Sequence, residues 1–313
     1  MNILITGANG FVGSYLQKLL KKNKKINLFL LLREKNNIDK KNSNVFYADF
    51  ENKNLNWNKF LQKIDVVVHL AARQHKISYK TEYKKYDQIN SKLVKDIIES
   101  CQKNRVKKFV YLSSAKVYQE SSNSLKSYSI NDDVNPVDFY SKSKYSGEIE
   151  LSKKINEKKT EIYIIRVPLI YGGNPKGYLS AFNSLNKYNF PLPIKCFNDN
   201  LRSFISIYNL VNFIEHLIFF KNNFSGTYLL SDSEDLSTYN FLKRYSSLSN
   251  NKSKFFYVPK FVIKFFLSLM FRNDIYNKLN NSLRLNSIET FKKFNWYPEF
   301  SIEDTIKKYF DDK

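Results

Sequence analysis

Tyr140 and Lys144 stand four residues apart in Tyr140-Ser141-Lys142-Ser143-Lys144, and a helix would set both on one face. Their chemistry would be proton transfer. A free tyrosine ionises near pH ~10, too high to exchange protons readily at neutral pH. A neighbouring ammonium favours the phenolate and lowers that value. Upstream lies Ser113-Ser114-Ala115-Lys116-Val117-Tyr118, where a strand should end. Open α/β sheets build their sites at the carboxyl ends of strands, so Ser114 could hold a substrate oxygen together with Tyr140. The spacing alone is weak. Tyr239 and Lys243 repeat it in a later helical stretch, and we read that copy as fortuitous.

The second chemical signal is Gly7-Ala8-Asn9-Gly10-Phe11-Val12-Gly13, directly after an apolar run and at the start of a helical pattern. Gly7 permits a tight turn, Gly10 lets the backbone approach a pyrophosphate, and Gly13 allows the helix to pack closely on a sheet. The helix N-terminus, with the backbone of Asn9, Phe11 and Val12 around it, would face the phosphates with free N–H groups. This predicts dinucleotide binding; the bland alternative is a glycine turn needed only for packing. Lys144 could then also hydrogen-bond the nicotinamide ribose, and the cationic nicotinamide would further favour a phenolate at Tyr140. After the second strand comes Leu32-Arg33-Glu34. An NAD enzyme usually has an acid at this strand end, whereas a guanidinium can pair with a 2′-phosphate. We therefore expect NADP or NAD, with NADP favoured through Arg33; in the alternative, Arg33 is solvated and Glu34 serves NAD. Asp49 is a candidate for the adenine contact or a turn acid.

These residues need a sheet to position them. Short apolar runs alternate with helical patterns up to about residue 170, as in βαβ units with a parallel sheet. Strands are expected at 2–6, 26–32, 44–47, 65–69, 108–113 and 162–166. Helices fit at 11–22, 86–103 and 140–156. After Pro168, glycines and prolines mark turns, and helices dominate at about 207–221, 237–246, 259–271 and 287–294. The expected architecture is a doubly wound α/β Rossmann domain over residues 1–170. A smaller, mostly helical substrate lobe follows over 171–313, with segments returning to the core.

On these residues the chain resembles the extended short-chain dehydrogenase/reductases, the family of nucleotide-sugar epimerases, dehydratases and ketoreductases. The match runs over nearly the full length. It includes the glycine motif, His69-Leu70-Ala71-Ala72, the Ser114 and Tyr140/Lys144 set, and Arg166-Val167-Pro168-Leu169-Ile170-Tyr171-Gly172. It continues through Arg202-Ser203-Phe204-Ile205-Ser206-Ile207 to Phe294-Asn295-Trp296-Tyr297-Pro298. The resemblance implies that Ser114, Tyr140 and Lys144 are the catalytic triad and that Arg202 binds the substrate diphosphate. Leu70, Ala71, Ala72 and Pro168 would lie at the cofactor, with the two alanines lining the nicotinamide pocket. Asn90 would have a structural or proton-relay role. From its own place after Gly177, Tyr178 could stack on uracil or serve only in packing. Dehydratases of the family carry an Asp-Glu pair where Ala115 and Lys116 stand here, so dehydration is not expected. The Ser-Ser-Ala-Lys-Val stretch and residues 230–238 look like a UDP-glucose 4-epimerase-like subgroup. That subgroup includes 4-ketoreductases making UDP-N-acetyl-6-deoxyhexosamines for surface polysaccharides.

The chain has 313 residues and a formal net charge of +22. Its lysines are spread throughout and accompany no RNA- or DNA-binding motif, so a nucleic-acid partner is not expected. Two distant cysteines, Cys101 and Cys196, argue against a disulfide framework or zinc site, and a reducing, cytoplasmic setting fits best. His69, His75 and His216 show no metal-ligand spacing, so no metal is expected; His75 and Arg73 could touch the sugar. The apolar stretch 261–271 is too short to span a bilayer and is interrupted by Lys264, so no stable insertion is expected. An amphipathic helix packed on the protein is the plain reading, and a membrane-surface contact the sharper one. A homodimer could form through the helices at 86–103 and 140–156. Three functions compete: a UDP-sugar 4-ketoreductase, a 4-epimerase with tightly held NAD, and a non-catalytic dinucleotide-binding module.

Overall fold

Apolar runs without alternation need strands covered on both faces, and helices supply that cover. The computed structural model describes residues 1–33, 44–51, 55–73, 83–121, 124–174, 178–249 and 253–311. Strand β1 (Asn2–Thr6) carries Ile3, Leu4 and Ile5 fully buried, and α1 (Phe11–Leu20) turns Val12, Leu16 and Leu20 inward. After β2 (Asn27–Leu32), β3 (Val45–Tyr47) and the short α2 (Asn58–Leu61) comes β4 (Val66–His69), buried at every position. The next crossover is α3 (Tyr83–Asp87), a single π-helical turn (Gln88–Lys92) and α4 (Leu93–Lys103). Leu93, Val94, Ile97, Ile98 and Cys101 make the inner stripe of α4, at the spacing a helix demands. Strand β5 (Lys108–Ser114) ends in a 3₁₀ turn at Ala115–Val117. Then come β6 (Ser127–Tyr128), α5 (Phe139–Ile155) and β7 (Glu161–Val167).

Strands β8 (Leu169–Tyr171), β9 (Arg202–Ser206) and β10 (Gly226–Leu229) follow, with α6 (Tyr178–Lys187) and α7 (Ile207–Phe219) among them. The main sheet has seven strands in the order β10-β7-β5-β4-β1-β2-β3. Registers are parallel at β1–β2, β2–β3, β1–β4 and β4–β5. The order reverses beside β1, which is the doubly wound arrangement expected, and the reversal point is where such sheets bind ligands.

The chain divides into two compact units. The first comprises Met1–Val117, Asp133–Arg166 and Val211–Tyr228 and holds almost all of the seven-stranded sheet. The second comprises Tyr118–Asp132, Val167–Leu210 and Leu229–Lys313. Within it β11 (Asp235–Leu236), β9 and β8 form a three-stranded sheet, and β12 (Arg284–Leu285) pairs with β6. Helices α8 (Thr238–Ser247), α9 (Lys260–Leu269), α10 (Asn273–Asn280), α11 (Ile288–Phe294) and α12 (Ile302–Asp311) complete it. Its core is aromatic: the rings of Phe204 and Phe241 stack at 4.0 Å, and Tyr171 meets Phe241 edge-on. Buried Asp232 ties this core together, accepting from Tyr171 Oη at 2.7 Å, Asn209 Nδ2 at 2.8 Å and Ser206 N at 2.9 Å.

Candidate active site

Gly7 leaves β1 with a φ of 69°, in the left-handed region that glycine enters without a Cβ penalty. A methyl group there would also lie 2.7 Å from the backbone nitrogen of Ala71. A methyl at Gly13 would collide with the Gly7 carbonyl oxygen and with Ala8. The Gly10 N–H closes the turn onto Gly7 O at 2.9 Å. Gly10 caps α1 without a side chain, and no acid stands in the first turn. The positive end of α1 is therefore offered to an anion, with exposed Asn9 and half-buried Phe11 beside it and Val12 turned into the core. These residues fit a dinucleotide pyrophosphate. At the end of β2, Leu32 is buried and Arg33 exposed; Glu34 lies outside the described residues. Asp49 is exposed and accepts the Glu51 N–H at 2.9 Å, a turn role that leaves its second oxygen for other use.

The loop after β4 is locked from two sides. Thr6 Oγ1 shares a hydrogen bond of 2.9 Å with His69 Nδ1 and accepts the Ala71 N–H at 3.3 Å. Asn90, at the centre of the π turn, accepts the Arg73 N–H at 2.9 Å and donates back to Arg73 O at 3.2 Å. It also donates to Ser143 Oγ at 2.9 Å, and that hydroxyl donates to Tyr140 O at 2.7 Å. Leu70, Ala71 and Ala72 are thus held on a strap fastened to β1 at one end and to α5 at the other.

Helix α5 starts at Asp138, whose carboxylate accepts the Ser141 N–H at 2.7 Å as an N-cap. Tyr140 sits half-buried in the first turn and Lys144 fully inside one turn later. The helix packs along β5 and the 3₁₀ turn beyond it. The Lys144 ammonium lies 3.9 Å from the centre of the Tyr111 ring, and Tyr111 Oη donates to Asn90 O at 3.3 Å and Lys144 O at 3.4 Å. Ser114 is the last residue of β5, half-buried, and accepts the Lys116 N–H at 3.2 Å. Gly147 makes this closeness possible: a Cβ there would stand 2.5 Å from Asn90 O and 2.7 Å from Tyr111 Oη.

The family model described as "NAD dependent epimerase/dehydratase family" matches residues 3–227. The chain belongs to the NAD dependent epimerase/dehydratase family. A UDP-glucose 4-epimerase from Vibrio cholerae is 27% identical over 309 residues, covering 98% of this chain and 94% of its own. Among solved structures, a UDP-glucuronic acid 4-epimerase from Bacillus cereus in complex with NAD has a TM-score of 0.77 at 20% identity. That match covers 99% of this chain and 96% of the other. A dTDP-4-dehydrorhamnose reductase from Clostridium acetobutylicum has a TM-score of 0.75 at 22% identity, with 99% of each chain covered. The two structural likenesses show the fold.

The electrostatics of this epimerase-family site come from burial. Burial brings the Lys144 ammonium down to about 7, against the opposing pull of the Glu148 carboxylate. Burial, and then the charge of Lys144, push His69 down to about 3, so its ring is neutral; it stacks against the rings of Phe109 and Tyr111. Burial and the charges of Glu148 and Tyr140 hold the Tyr111 hydroxyl well above its ordinary value, so it remains a neutral phenol. Glu148, which the sequence reading passed over, is itself buried against Arg166, with Arg166 Nη2 donating to Oε2 at 2.7 Å. Ser113 Oγ also donates to Glu148. The signal was present: Tyr140, Lys144 and Glu148 at successive spacings of four share one helical face.

Arg202, on β9 in the second unit, is engaged by its own surroundings. It donates to Asn281 O at 2.7 Å and Lys278 O at 3.2 Å and pairs with Glu120 at 2.9 Å. Pro168 is buried between β7 and β8. Tyr178 opens α6, with its side chain outside what is described, and His75 lies outside the described residues. Arg73 pairs with Glu51 at 3.3 Å. His216 packs against Phe220, and no metal-holding group of His, Cys, Asp or Glu occurs among the described residues. No helix among them is long and apolar enough to cross a membrane.

Proposed function

We propose that this enzyme carries out NAD(P)-dependent redox chemistry at C4 of a UDP-hexose or a UDP-4-keto-6-deoxyhexosamine, with Ser114, Tyr140 and Lys144 as its catalytic groups. The observation that carries the reading is the desolvated Lys144, one turn from Tyr140 on a helix packed along β5. When bound, the dinucleotide would supply or accept the hydride at C4. Tyr140 gives the proton to the C4 oxygen during reduction and takes it during oxidation. Ser114 holds that oxygen in place. Lys144 stabilises the phenolate and orients the nicotinamide ribose. Gly7, Gly10 and Gly13, with Asn9, Phe11 and Val12, would cradle the pyrophosphate, while Leu70, Ala71, Ala72 and Pro168 would line the cofactor. Asp49 would serve the adenine. Arg202 would receive the substrate diphosphate, exchanging Glu120 for the ligand, and Tyr178 is the candidate for the base. Two copies would associate through the helices at 86–103 and 140–156.

The 4-ketoreductase form, with NADPH and a role in surface-polysaccharide precursors, is supported by exposed Arg33 where an NAD enzyme would carry an acid. The 4-epimerase form is supported by the full-length Vibrio cholerae relative. Mass spectrometry of the small molecules carried by the purified protein, with assays of UDP-4-keto-sugar reduction and of UDP-glucose/UDP-galactose exchange, separates them. NADPH-dependent reduction is expected; exchange without added cofactor, from retained NAD, assigns the epimerase instead, and neither activity would overturn the proposal.

A further inference from the structure

Helix α9 buries no residue, although seven of its ten side chains are apolar. Phe261, Phe265 and Leu269, at spacing four, form a stripe that is 74%, 60% and 61% exposed. Phe266 and Met270 widen it. Ile263 lies on the inner side, where it packs on the core with Tyr276 and Leu279 of α10.

The turn after α9 presents one more ring. Phe271 has a φ of 55°, the left-handed position where glycine ordinarily ends a helix. Its N–H donates to Ser268 O at 3.0 Å and the Arg272 N–H to Leu267 O at 2.7 Å, closing the turn. A bulky residue in that conformation is disfavoured. Its side chain is 93% exposed, so core packing does not explain it.

Between residues 253 and 281 the chain carries Lys254, Lys260, Lys264, Arg272 and Lys278 against one carboxylate, Asp274. Asp274 pairs with Arg272 and Lys278, and Lys260 pairs with Asp199. Lys264 lies over the Tyr276 ring. Even after these pairings the segment is cationic.

We infer that the aromatic face of α9, with Phe271, docks the protein on an anionic lipid bilayer. Aromatic side chains on one face flanked by lysines are the composition of interfacial helices, whose rings enter the headgroup boundary while lysine stems snorkel back to water. A helix of ten residues is about 15 Å long and lies in the plane of the interface without crossing it. A second copy is a poorer occupant, because it would press two sets of the same cations together on chains of net charge +22.

The test is flotation of the full-length protein with vesicles of equimolar phosphatidylglycerol and phosphatidylcholine, and with phosphatidylcholine alone. The protein is expected to float with the anionic vesicles, and added salt should weaken the association. The triple variant Phe261→Ser/Phe265→Ser/Phe271→Ser should lose at least about tenfold in partitioning while melting at an unchanged temperature. All three side chains are exposed, so the fold should tolerate the change. Lys264→Glu should weaken binding to the anionic vesicles specifically. Failure of the wild-type chain to float, or equal flotation of the triple variant, would overturn the inference. So would a wild-type dimer in sedimentation that the triple variant splits, with neither floating; that result would make α9 a contact between copies. None of these outcomes depends on the C4 chemistry.

Discussion

Helices α5 and α8 carry the same Tyr-x-x-x-Lys spacing in opposite surroundings. In α5, Lys144 is buried, 3.9 Å from the Tyr111 ring centre and one turn from Glu148. In α8, Lys243 is exposed, and its ammonium lies 5.8 Å from the ring of its own partner, Tyr239. That tyrosine packs edge-on against Phe255. Spacing decides which side chains can meet; burial decides how much a charge on them costs. The α5 pair has a lysine whose charge burial makes expensive, beside a phenol at the carboxyl end of the sheet. The α8 pair has ordinary packing and ordinary solvent.

The largest effect should follow from removing the buried ammonium. Lys144→Ala is expected to lower turnover by about 10²–10⁴-fold and to weaken dinucleotide binding, as the proposed double service to phenol and ribose requires. Steady-state rates on a UDP-4-keto sugar or UDP-hexose, with cofactor titration, check both. Lys243→Ala is the control; if the two variants behaved alike, the contrast between the helices would collapse.

Much of this contrast was legible beforehand, and the reason is periodicity. Runs such as Ile3-Leu4-Ile5 and Val66-Val67-Val68, short and rich in β-branched residues, read as covered strands, and the glycines after the first of them mark a tight turn. Ser114, Tyr140 and Lys144 could be placed because their local spacing fixes the strand end and the helical face. What was not legible depends on partners distant in sequence. Glu148 matters through Arg166 and Ser113, and Gly147 through Asn90 and Tyr111. Arg202 was read as a ligand for phosphate, and nothing local announced that Glu120 would hold it. The π turn around Asn90 escaped notice because an inserted residue leaves the apolar pattern on either side intact.

The fit of α5 against β5 can be tested next. Gly147→Ala should cost about 1–3 kcal/mol of stability, since the added methyl meets backbone at 2.5 Å and the buried Tyr111 hydroxyl oxygen at 2.7 Å. Chemical denaturation measures it, and a neutral result would mean the helix can shift without loss. A smaller change is expected at Arg202. Glu120→Gln should tighten UDP binding by about three- to tenfold by releasing Arg202, whereas Arg202→Ala should weaken it and spare dinucleotide binding. Calorimetry with UDP and with NADP reads both; no change in either variant would make the arginine purely structural. The smallest effect belongs to α8: Tyr239→Phe should leave turnover unchanged and alter stability by less than about 0.5 kcal/mol.

The central claim is that Tyr140 and the desolvated Lys144 of α5 are the acid/base machinery, and Tyr140→Phe tests it most directly. The change removes one hydroxyl and keeps the ring, so packing is preserved. Turnover of Tyr140→Phe is measured beside wild type and Tyr239→Phe, with dinucleotide affinity and melting temperature as controls for an intact fold. The account predicts a loss of about 10²–10⁴-fold with both controls unmoved. Retention of most of the activity by Tyr140→Phe would contradict it.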